Sequence, residues 1–369
     1  MKKILILLSC VLILSCTQEA SPTEIINIEN GIDKKKKIDF IELAKDISFV
    51  PLENFGKQSL IGDIYILKEH GDSYYVCTNS TIISFNKHGK FLRQYGLLGR
   101  GPEEYSGYIS DFDIKKGNIY IIANRHIYCY DTLNNFIFKD SVNFTQVSVV
   151  DDKIVGLVPP SDVICSEDHI IAKVYDDRIK EIDRIAIQES QDSISTDIKS
   201  FLAFQPFSND GYSGLYMKEF LGEIIYNISS GFKIDPRFVL KMGKYQFPIE
   251  MYDFDKMDKW NEYYLVNNIF NTDKYLILSL QNGLMGKLQY LIYDKTSKDC
   301  FTPTGQSDNK GFYIDGIIFY PLYTCDNRIV GYIKPEDLID QEITKIKELQ
   351  IIKNEIKLES NPVLVIISL

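Results

Sequence analysis

A chain of 369 residues could hold two average domains or one large all-β domain. Its 24 Tyr and 21 Phe against a single Trp favour the second, because this is the residue mix of half-buried strands. The formal net charge of −10 argues against a protein that wraps nucleic acid, since phosphates require a basic face, and we expect no nucleic-acid partner.

The first sixteen residues indicate export. Lys2 and Lys3 form a positively charged start, and residues 4–14 are a mostly apolar run that is too short to cross a bilayer comfortably as a mature helix. The run ends in Ile-Leu-Ser-Cys16, which resembles the lipobox of bacterial lipoproteins, where the cysteine is acylated and becomes the mature N-terminus. We therefore predict a signal peptide at residues 1–15 and lipidation of Cys16.

Two alternatives compete with this interpretation. Leu-Leu-Ser-Cys10 also matches the pattern, but its apolar run is shorter than a signal peptide requires. Ordinary cleavage near Ser15 would instead release a secreted protein. Thr17 follows the predicted lipidated cysteine, so the aspartate that retains some lipoproteins at the inner membrane is absent. We expect an outer-membrane lipoprotein, on a face of that membrane that the sequence leaves open.

The stretch that follows is polar. Residues 16–37 contain Pro22 and end in four consecutive lysines, residues 34–37. We interpret this stretch as a tether and the lysines as a solvated linker, because the run is short and isolated for a patch that binds nucleic acid or lipid. The folded domain is then predicted to span residues 38–369.

A repeat runs through this domain. Strand-like segments that end in an aromatic residue and Asp or Asn recur, with the aromatic residue at Phe85, Tyr130, Tyr175, Tyr226 and Tyr293. The spacings are 45 (130 − 85), 45 (175 − 130), 51 (226 − 175) and 67 (293 − 226), and 45 residues is the length of a four-stranded propeller blade. A sixth unit lies near residues 312–334. Strands from both chain ends, at residues 49–52 and 363–367, are free to complete it, so we predict an all-β, six-bladed β-propeller.

Two segments depart from the repeat. Residues 340–356 have isoleucine and leucine at spacings of three and four, which predicts a helix before the closing strand. Residues 244–264 are an insertion rich in aromatic residues, including Trp260. This insertion could be an aromatic platform for a sugar or a protein, with Trp260 as a candidate ligand contact, or a helical flap packed on the rim of the propeller.

The segment around residues 99–121 resembles a known family. Gly-Arg-Gly-Pro-Glu-Glu-Tyr at residues 99–105, followed by Asp-Phe-Asp-Ile at residues 111–114, is similar to six-bladed β-propeller lipoproteins of Bacteroides and relatives, whose repeats are similar to NHL repeats. Asn86 and Glu103 depart from the family pattern, in which Asp and Gly are usual. The resemblance covers nearly all of the mature chain. It implies the propeller fold and the envelope location, and implies little about activity.

The sequence contains no clear catalytic motif. The four histidines are not spaced as metal ligands, no Gly-x-Ser-x-Gly occurs, and the glycines at residues 96–101 lack the Gly-Lys-Ser/Thr of a phosphate loop. The cysteines include no Cys-x-x-Cys. Asp111 and Asp113 begin an inner strand near the channel mouth, where they could bind a cation or accept backbone N–H bonds. We expect no cofactor.

Arg100, Glu104 and Tyr105 lie together in the glycine-rich crossing. We interpret them as a set that locks the loop, with Arg100 paired to an acidic side chain and Tyr105 filling the gap between two blades. A role in ligand binding at the propeller face is the alternative.

These observations favour a non-enzymatic, lipid-anchored binding module. Its expected partners are membrane lipid, through the acyl chains, and an outer-membrane protein or a glycan or peptide ligand. The competing hypotheses are a metal-assisted, lactonase-like hydrolase or a lyase that uses the central channel, and a structural accessory of a neighbouring outer-membrane complex.

Overall fold

A computed structural model describes residues 23–164, 168–187, 207–209, 214–218, 221–251, 254–283, 286–304 and 311–369. Within these residues the strands form six sheets of four or five strands, arranged in a ring as a six-bladed β-propeller. The predicted fold is therefore confirmed. No helix of the described residues is long and apolar enough to cross a membrane.

The elements alternate between short strands and tight connections. The strands of the described residues are β1 (Glu24–Asn27), β2 (Lys35–Lys37), β3 (Asp46–Pro51), β4 (Ile66–His70), β5 (Ser73–Cys77), β6 (Ile82–Asn86), β7 (Phe91–Tyr95), β8 (Ile109–Lys115), β9 (Asn118–Ala123), β10 (His126–Tyr130), β11 (Phe136–Ser141), β12 (Gln146–Val150), β13 (Lys153–Leu157), β14 (Ile170–Tyr175), β15 (Glu181–Ala186), β16 (Phe207–Asn209), β17 (Leu215–Lys218), β18 (Ile224–Ile228), β19 (Ile234–Lys241), β20 (Tyr264–Asn271), β21 (Tyr275–Asn282), β22 (Leu288–Asp294), β23 (Asp299–Thr304), β24 (Phe312–Ile314), β25 (Ile317–Cys325), β26 (Arg328–Ile333) and β27 (Val363–Ser368). The α-helices are α1 (Ile28–Asp33), α2 (Pro160–Ile164), α3 (Pro335–Ile339) and α4 (Lys347–Glu355). Short 3₁₀ helices occupy Phe40–Leu43, Gly56–Gln58, Ser230–Phe232, Gly243–Tyr245, Ile249–Met251 and Phe254–Glu262.

The blades follow one another along the chain. Blades 1, 2 and 3 contain β4 to β7, β8 to β11 and β12 to β15. Blades 4 and 5 contain β16 to β19 and β20 to β23, with β1 and β2 added as fifth, outermost strands. Blade 6 contains β24 to β27 and β3. In blade 6, β25 occupies the place that the first strand has in the other blades. Strand β24 forms a short hairpin with the beginning of β25.

The aromatic residue of the sequence repeat lies in the third strand of each of blades 1 to 5, within two residues of its end. Each of these five side chains is buried, at Phe85, Tyr130, Tyr175, Tyr226 and Tyr293. The Asp or Asn that follows caps the turn to the fourth strand in four blades: Asp131, for example, accepts the N–H groups of Leu133 and Asn135, both at 2.8 Å. The repeat thus pairs a buried ring with a short polar turn.

Both chain ends complete blade 6, as predicted. Strand β27 lies between β26 and β3, and its pairing with β3 is antiparallel from Val363 opposite Pro51 to Ser368 opposite Asp46. Because β3 comes from the N-terminal part of the chain, this pairing joins the two ends of the domain in one sheet and closes the ring, with β3 as the outermost strand of blade 6.

The segment predicted as a tether is shorter than expected. Residues 24–27 form β1, which pairs in parallel with β19, and residues 35–37 form β2, which pairs in parallel with β23. Helix α1 joins the two, and Ile26, Ile28 and Ile32 are buried. The polar composition concealed these isoleucines, whose burial supplies the energy that holds the segment on the domain.

The predicted C-terminal helix also begins later than expected. Helix α4 spans Lys347–Glu355, whereas residues 340–346 take another path. The carboxylate of Asp315 accepts the backbone N–H groups of Thr344 (3.1 Å), Lys345 (2.6 Å) and Ile346 (3.0 Å). This distant side chain satisfies the N–H groups just before the helix, and Ile343 packs into the core without helical structure.

The two faces of the ring differ in their connections. Because neighbouring strands within a blade are antiparallel, the turns from first to second and from third to fourth strand lie on one face, the turn face. The other connections within a blade, and the crossings to the next blade, lie on the opposite crossing face. Turns on the turn face are short, such as residues 71–72 and 116–117, whereas residues 242–263 and 334–362 lie on the crossing face.

Candidate functional site

The crossing from blade 1 to blade 2, residues 96–108, is a closed loop on the crossing face. The N–H of Tyr105 donates to the carbonyl of Leu97, and the N–H of Gly99 donates to the carbonyl of Tyr105, both at 2.9 Å. The Glu104 carboxylate accepts the N–H of Gly101 at 2.7 Å. A Cβ atom at Gly99 would lie 1.9 Å from Oε2 of Glu104, so a larger residue there would move this carboxylate.

Tyr105 fills the gap between blades 1 and 2, as the sequence predicted. Its side chain is 1% exposed, it meets the ring of Tyr128 edge-on at 5.8 Å, and its hydroxyl donates to the carbonyl of Ser80 at 2.7 Å. Burial raises the pKa of this phenol. Gly96 has a φ of 75° and leaves the room that the ring occupies. Tyr105 is therefore a packing residue and not a ligand contact.

Arg100 does not play the part expected of it. The sequence predicted an ion pair with an acidic neighbour, but Arg100 is exposed and forms no ion pair within the described residues. Glu104 is instead bound to the backbone of the loop. The guanidinium of Arg100 thus projects from the crossing face with its hydrogen-bond donors available.

Four large, exposed side chains lie on the same face as Arg100. Tyr108 is 73% exposed, Leu98 58%, Tyr65 55% and Leu97 45%. Tyr65 and Tyr108 immediately precede β4 and β8, the inner strands of blades 1 and 2. Both tyrosines flank the connection between β5 and β6 in blade 1. The N–H of Tyr65 donates to the carbonyl of Cys77, and the N–H of Ile109, which follows Tyr108, donates to the carbonyl of Asn79. We call Tyr65, Leu97, Leu98, Arg100 and Tyr108 the crossing-face rim.

The crossing-face rim has the chemistry of a binding surface. Single exposed side chains of this size are common on protein surfaces. Several of them on one face of a protein indicate an interaction site. Tyr and Arg are the residues that contribute most to binding energy at protein interfaces. Neither tyrosine hydroxyl has a hydrogen-bond partner within the part of the chain that the structure describes. The rim combines apolar area with free donors.

The two channel aspartates join blades 2 and 3. Asp111 accepts the N–H of Val147 at 2.9 Å, and Asp113 accepts the N–H of Val149 at 2.8 Å. Each also accepts the N–H of the residue that follows it, at 2.8 Å. Of the two alternatives from the sequence, the structure therefore supports backbone acceptors, which link the inner strands β8 and β12 at two consecutive positions on one side of the strand.

Lys68 of blade 1 faces these carboxylates in the channel. Its Nζ lies 3.9 Å from Oδ2 of Asp113 and 5.6 Å from the centre of the Phe207 ring, which belongs to blade 4. Desolvation lowers the pKa of Lys68, but Asp113 and Asp111 outweigh it and the net shift is upward, so the ammonium stays charged. The hydroxyl groups of Ser208 and Thr324 also meet, at 2.7 Å, between blades 4 and 6. Side chains thus fill this part of the channel.

Replacing Asp111 with Asn is expected to change the response of stability to pH. Burial raises the pKa of Asp111 to about 6 from 3.8, although Lys68 and the N–H of Val147 act in the opposite direction. The folded protein therefore holds this proton more tightly than the unfolded chain, so stability falls as pH rises from about 4 to 6 and levels off above. The loss is up to about 3 kcal/mol.

Urea unfolding of both proteins at pH 4 and pH 7.5 measures this contribution. The variant lacks the titration, so the free energy of unfolding of the wild type minus that of the variant should fall by up to about 3 kcal/mol between the two pH values. A difference that stays constant with pH would contradict the raised pKa, whatever its absolute size.

Trp260 is not an exposed platform residue. Its side chain is 4% exposed, its Nε1–H donates to the carbonyl of Met251 at 2.5 Å, and its ring meets Phe247 edge-on at 6.2 Å. Phe247 is 2% exposed. The insertion forms 3₁₀ turns packed on the rim of the propeller, which agrees with the alternative of a flap. Its aromatic residues supply the flap with a core of its own.

Potential nucleophiles and metal ligands are dispersed. Among the described residues, no group of three or more His, Cys, Asp or Glu side chains could hold a metal ion. The thiols of Cys77, Cys129, Cys300 and Cys325 are free, and burial raises the pKa of each, for Cys325 to about 11. A cysteine with a raised pKa carries little thiolate near neutral pH and is a poor nucleophile. Cys16 and Cys165 lie outside the described residues.

The structure therefore separates the predicted site residues. Arg100 belongs to the crossing-face rim, Asp111 and Asp113 lie in the channel, and Glu104, Tyr105 and Trp260 support the fold. Sequence reasoning missed Tyr65 and Tyr108. They lie 43 residues apart (108 − 65), which is close to the repeat length. An alignment of the blades on the residue just before the first strand would have placed the two tyrosines at the same position.

The sequence matches a protein family over most of its length. Residues 23–368 match the family described as Domain of unknown function (DUF4934). No curated protein matches the sequence.

Solved structures show the same fold at low sequence identity. An exported protein of Bacteroides fragilis NCTC 9343 aligns with a TM-score of 0.68 at 17% identity, over 94% of this chain and 99% of its own. Virginiamycin B lyase of Staphylococcus aureus aligns with a TM-score of 0.43 at 9% identity, over 88% of this chain and 99% of its own. The first similarity shows the fold alone, and the second is too weak to carry an argument.

Proposed function

The chain belongs to the family described as Domain of unknown function (DUF4934), and from its geometry we propose that it is a non-enzymatic binding module of the cell envelope. A lipid on Cys16 holds it at the outer membrane. A polypeptide partner binds the crossing-face rim, with Tyr65 and Tyr108 as the main contacts.

The exposure of the crossing-face rim is the observation that carries this proposal. Tyr108 and Tyr65 keep 73% and 55% of their surface in solvent, although the tyrosines at the aromatic position of the repeat are buried. Leu97 and Leu98 favour a polypeptide over a glycan, because sugar rings stack on aromatic faces and gain little from leucine. Arg100 adds donors for a carboxylate of the partner.

The envelope location is supported by the N-terminal sequence. A charged start, a short apolar run and Ile-Leu-Ser-Cys16 favour export and acylation. The Bacteroides fragilis protein of the same fold is also designated as exported. Mass spectrometry of the mature protein from its native membrane tests this point, since an N-terminus other than an acylated Cys16 would refute the anchor.

An enzyme in the channel is the competing function, and the described residues favour it less. A metal-assisted hydrolase or a lyase needs carboxylates that are available to an ion or a substrate. In Asp111 and in Asp113, both carboxylate oxygens instead accept hydrogen bonds from backbone N–H groups.

Photo-crosslinking from the crossing-face rim is expected to capture the partner. A photoreactive phenylalanine analogue at position 65 or 108 should give one discrete adduct in native cells. The same analogue at Leu133, which is 64% exposed in a turn on the turn face, is the matched control and should give none. Adducts that are absent from the rim, or equal from all three positions, would refute the proposed surface.

With the partner identified, exchanging both tyrosines for serine should weaken its binding about 30-fold or more, the effect of losing an interface hot spot. The melting temperature should stay unchanged, because these side chains are exposed. Unchanged affinity would show that the crosslinked protein is only a neighbour.

A further inference from the structure

The chain meets the propeller at the outer edge of blade 4. The hydroxyl of Thr23 donates to the carbonyl of Pro236 at 2.9 Å, and Glu24 pairs with Phe238 of β19. Only residues 17–22 separate Thr23 from the proposed lipid on Cys16. A fully extended chain spans about 3.5 Å per residue, so the Cα atoms of Cys16 and Thr23 are at most about 25 Å apart. A lipid anchor on Cys16 therefore keeps this edge close to the bilayer.

The direction of β1 orients the domain further. Strand β1 is parallel to β19, and β19 ends at the crossing face. The chain therefore enters β1 from the turn-face side of blade 4. An anchor that reaches the propeller from this side leaves the crossing face, with its exposed rim, directed away from the membrane.

Three lysines line the next edge along the ring. Lys35, Lys36 and Lys37 form β2, the outermost strand of blade 5, and all three are exposed. Within the described residues none of them forms an ion pair, whereas the neighbouring Lys34 pairs with Asp299 at 2.5 Å. The Nζ of Lys36 lies 4.6 Å from the centre of the Phe301 ring. We call Lys35, Lys36 and Lys37 the basic edge.

The charge of the basic edge contrasts with that of the whole chain. A protein with a formal net charge of −10 is repelled by an anionic membrane surface, except where cations are concentrated. The sequence alone predicts a solvated linker at these lysines. Because they are instead held in a strand beside the anchored edge, their positions on the domain are constrained.

We propose that the basic edge contacts the anionic phospholipid headgroups of the membrane that holds the lipid anchor. In this orientation the ring is tilted, with the outer edge and the turn-face side of blades 4 and 5 toward the bilayer and the crossing face away from it. This inference rests on the proposed acylation of Cys16. Each lysine near an anionic surface adds to the attraction, and three together are expected to favour the bound orientation on the order of 100-fold at low salt.

Lysine footprinting of the acylated, full-length mature protein tests the proposal. The protein is reconstituted into vesicles of phosphatidylcholine with 30% phosphatidylglycerol, treated with an amine-acetylating ester and digested for mass spectrometry. Acetylation of the basic edge is expected to slow at least about fivefold relative to the protein in detergent, because bound headgroups shield the amines. The shielding should be lost in high salt, since it depends on charge.

Lys139 is the matched control. It is exposed on β11, the outermost strand of blade 2, which lies across the ring from blade 5. Its Nζ lies 4.9 Å from the centre of the Tyr128 ring, much as Lys36 lies near Phe301. Its acetylation rate should be the same in vesicles and in detergent.

The possible results separate the proposal from its premise. An intact mass without acyl chains on Cys16 refutes the anchor. With the acyl chains present, equal labelling of the basic edge and Lys139 in vesicles refutes the orientation. Equal shielding in vesicles of phosphatidylcholine alone refutes recognition of anionic headgroups. Shielding in native membranes but not in pure-lipid vesicles would assign the basic edge to a protein partner instead.

Discussion

Replacing Tyr105 with Ala is expected to lower the free energy of unfolding by about 4–5 kcal/mol. The ring is 1% exposed and fills the space between blades 1 and 2, so its removal leaves a cavity that the strands on either side cannot close. The variant also leaves the Ser80 carbonyl without the hydroxyl that binds it at 2.7 Å. Urea denaturation of the purified domain at neutral pH measures the loss.

Tyr105→Phe separates the two causes. It keeps the ring and removes only the hydroxyl, so it should lower stability by about 1 kcal/mol. Equal losses in both variants would mean that the hydroxyl and not the packing of the ring stabilises the crossing. A loss below about 2 kcal/mol in the alanine variant would mean that the two blades repack around the gap.

Replacing Asn361 with Ala is expected to lower the free energy of unfolding by about 4 kcal/mol. This side chain is 1% exposed and lies just before the closing strand β27. Its Oδ1 accepts the N–H of Ile61 at 2.8 Å, and its Nδ2 donates to the carbonyls of Glu53 at 2.8 Å and Ser59 at 2.7 Å. Removing this side chain leaves three backbone groups without a hydrogen-bond partner in a place that water reaches poorly. Each such group costs about 1–3 kcal/mol.

Asn54→Ala is the matched control for this prediction. Asn54 lies in the crossing from blade 6 to blade 1 that Asn361 binds, and it donates its Nδ2 to the carbonyl of Glu359 at 3.1 Å, but it is exposed, so water can replace it. Its loss should cost less than about 1 kcal/mol. Similar losses at both positions would show that burial of Asn361 does not matter, and that the crossing from blade 6 to blade 1 tolerates solvent.

Both predictions concern connections between blades, and these connections differ in how far sequence could predict them. The conformation of the loop at residues 99–105 is determined locally, because its glycines, Glu104 and Tyr105 interact within a few residues of one another. The role of Tyr105 was therefore predicted correctly. Asn361 acts on residues some 300 positions away in the chain, and no local pattern marks it.

The wrong predictions share this cause. The helix expected at residues 340–356 follows a correct apolar period, but the carboxylate of Asp315 takes up the N–H groups of residues 344–346 and delays its start. For Trp260 the sequence leaves an exposed platform and a packed flap open, because the composition of an insertion does not show what covers it. Arg100 and an acidic side chain are close in the chain, yet the Gly101 N–H competes for Glu104 and binds it.

The repeat determined the fold from sequence alone. A buried aromatic residue and a turn-capping Asp or Asn are local requirements of a four-stranded blade, so they recur at the length of a blade and can be counted. The charged start, the apolar run and Cys16 predict the envelope location by similar local chemistry. Tertiary structure decided the rest: that residues 24–37 cover the outer edges of blades 4 and 5, that Asp111 and Asp113 join two inner strands, and that Tyr65 and Tyr108 remain exposed on one face. These features lie where two blades meet or at the outer edges and faces of the ring. Whether a residue is buried there depends on contacts with residues far apart in the chain, and no local sequence pattern shows such contacts.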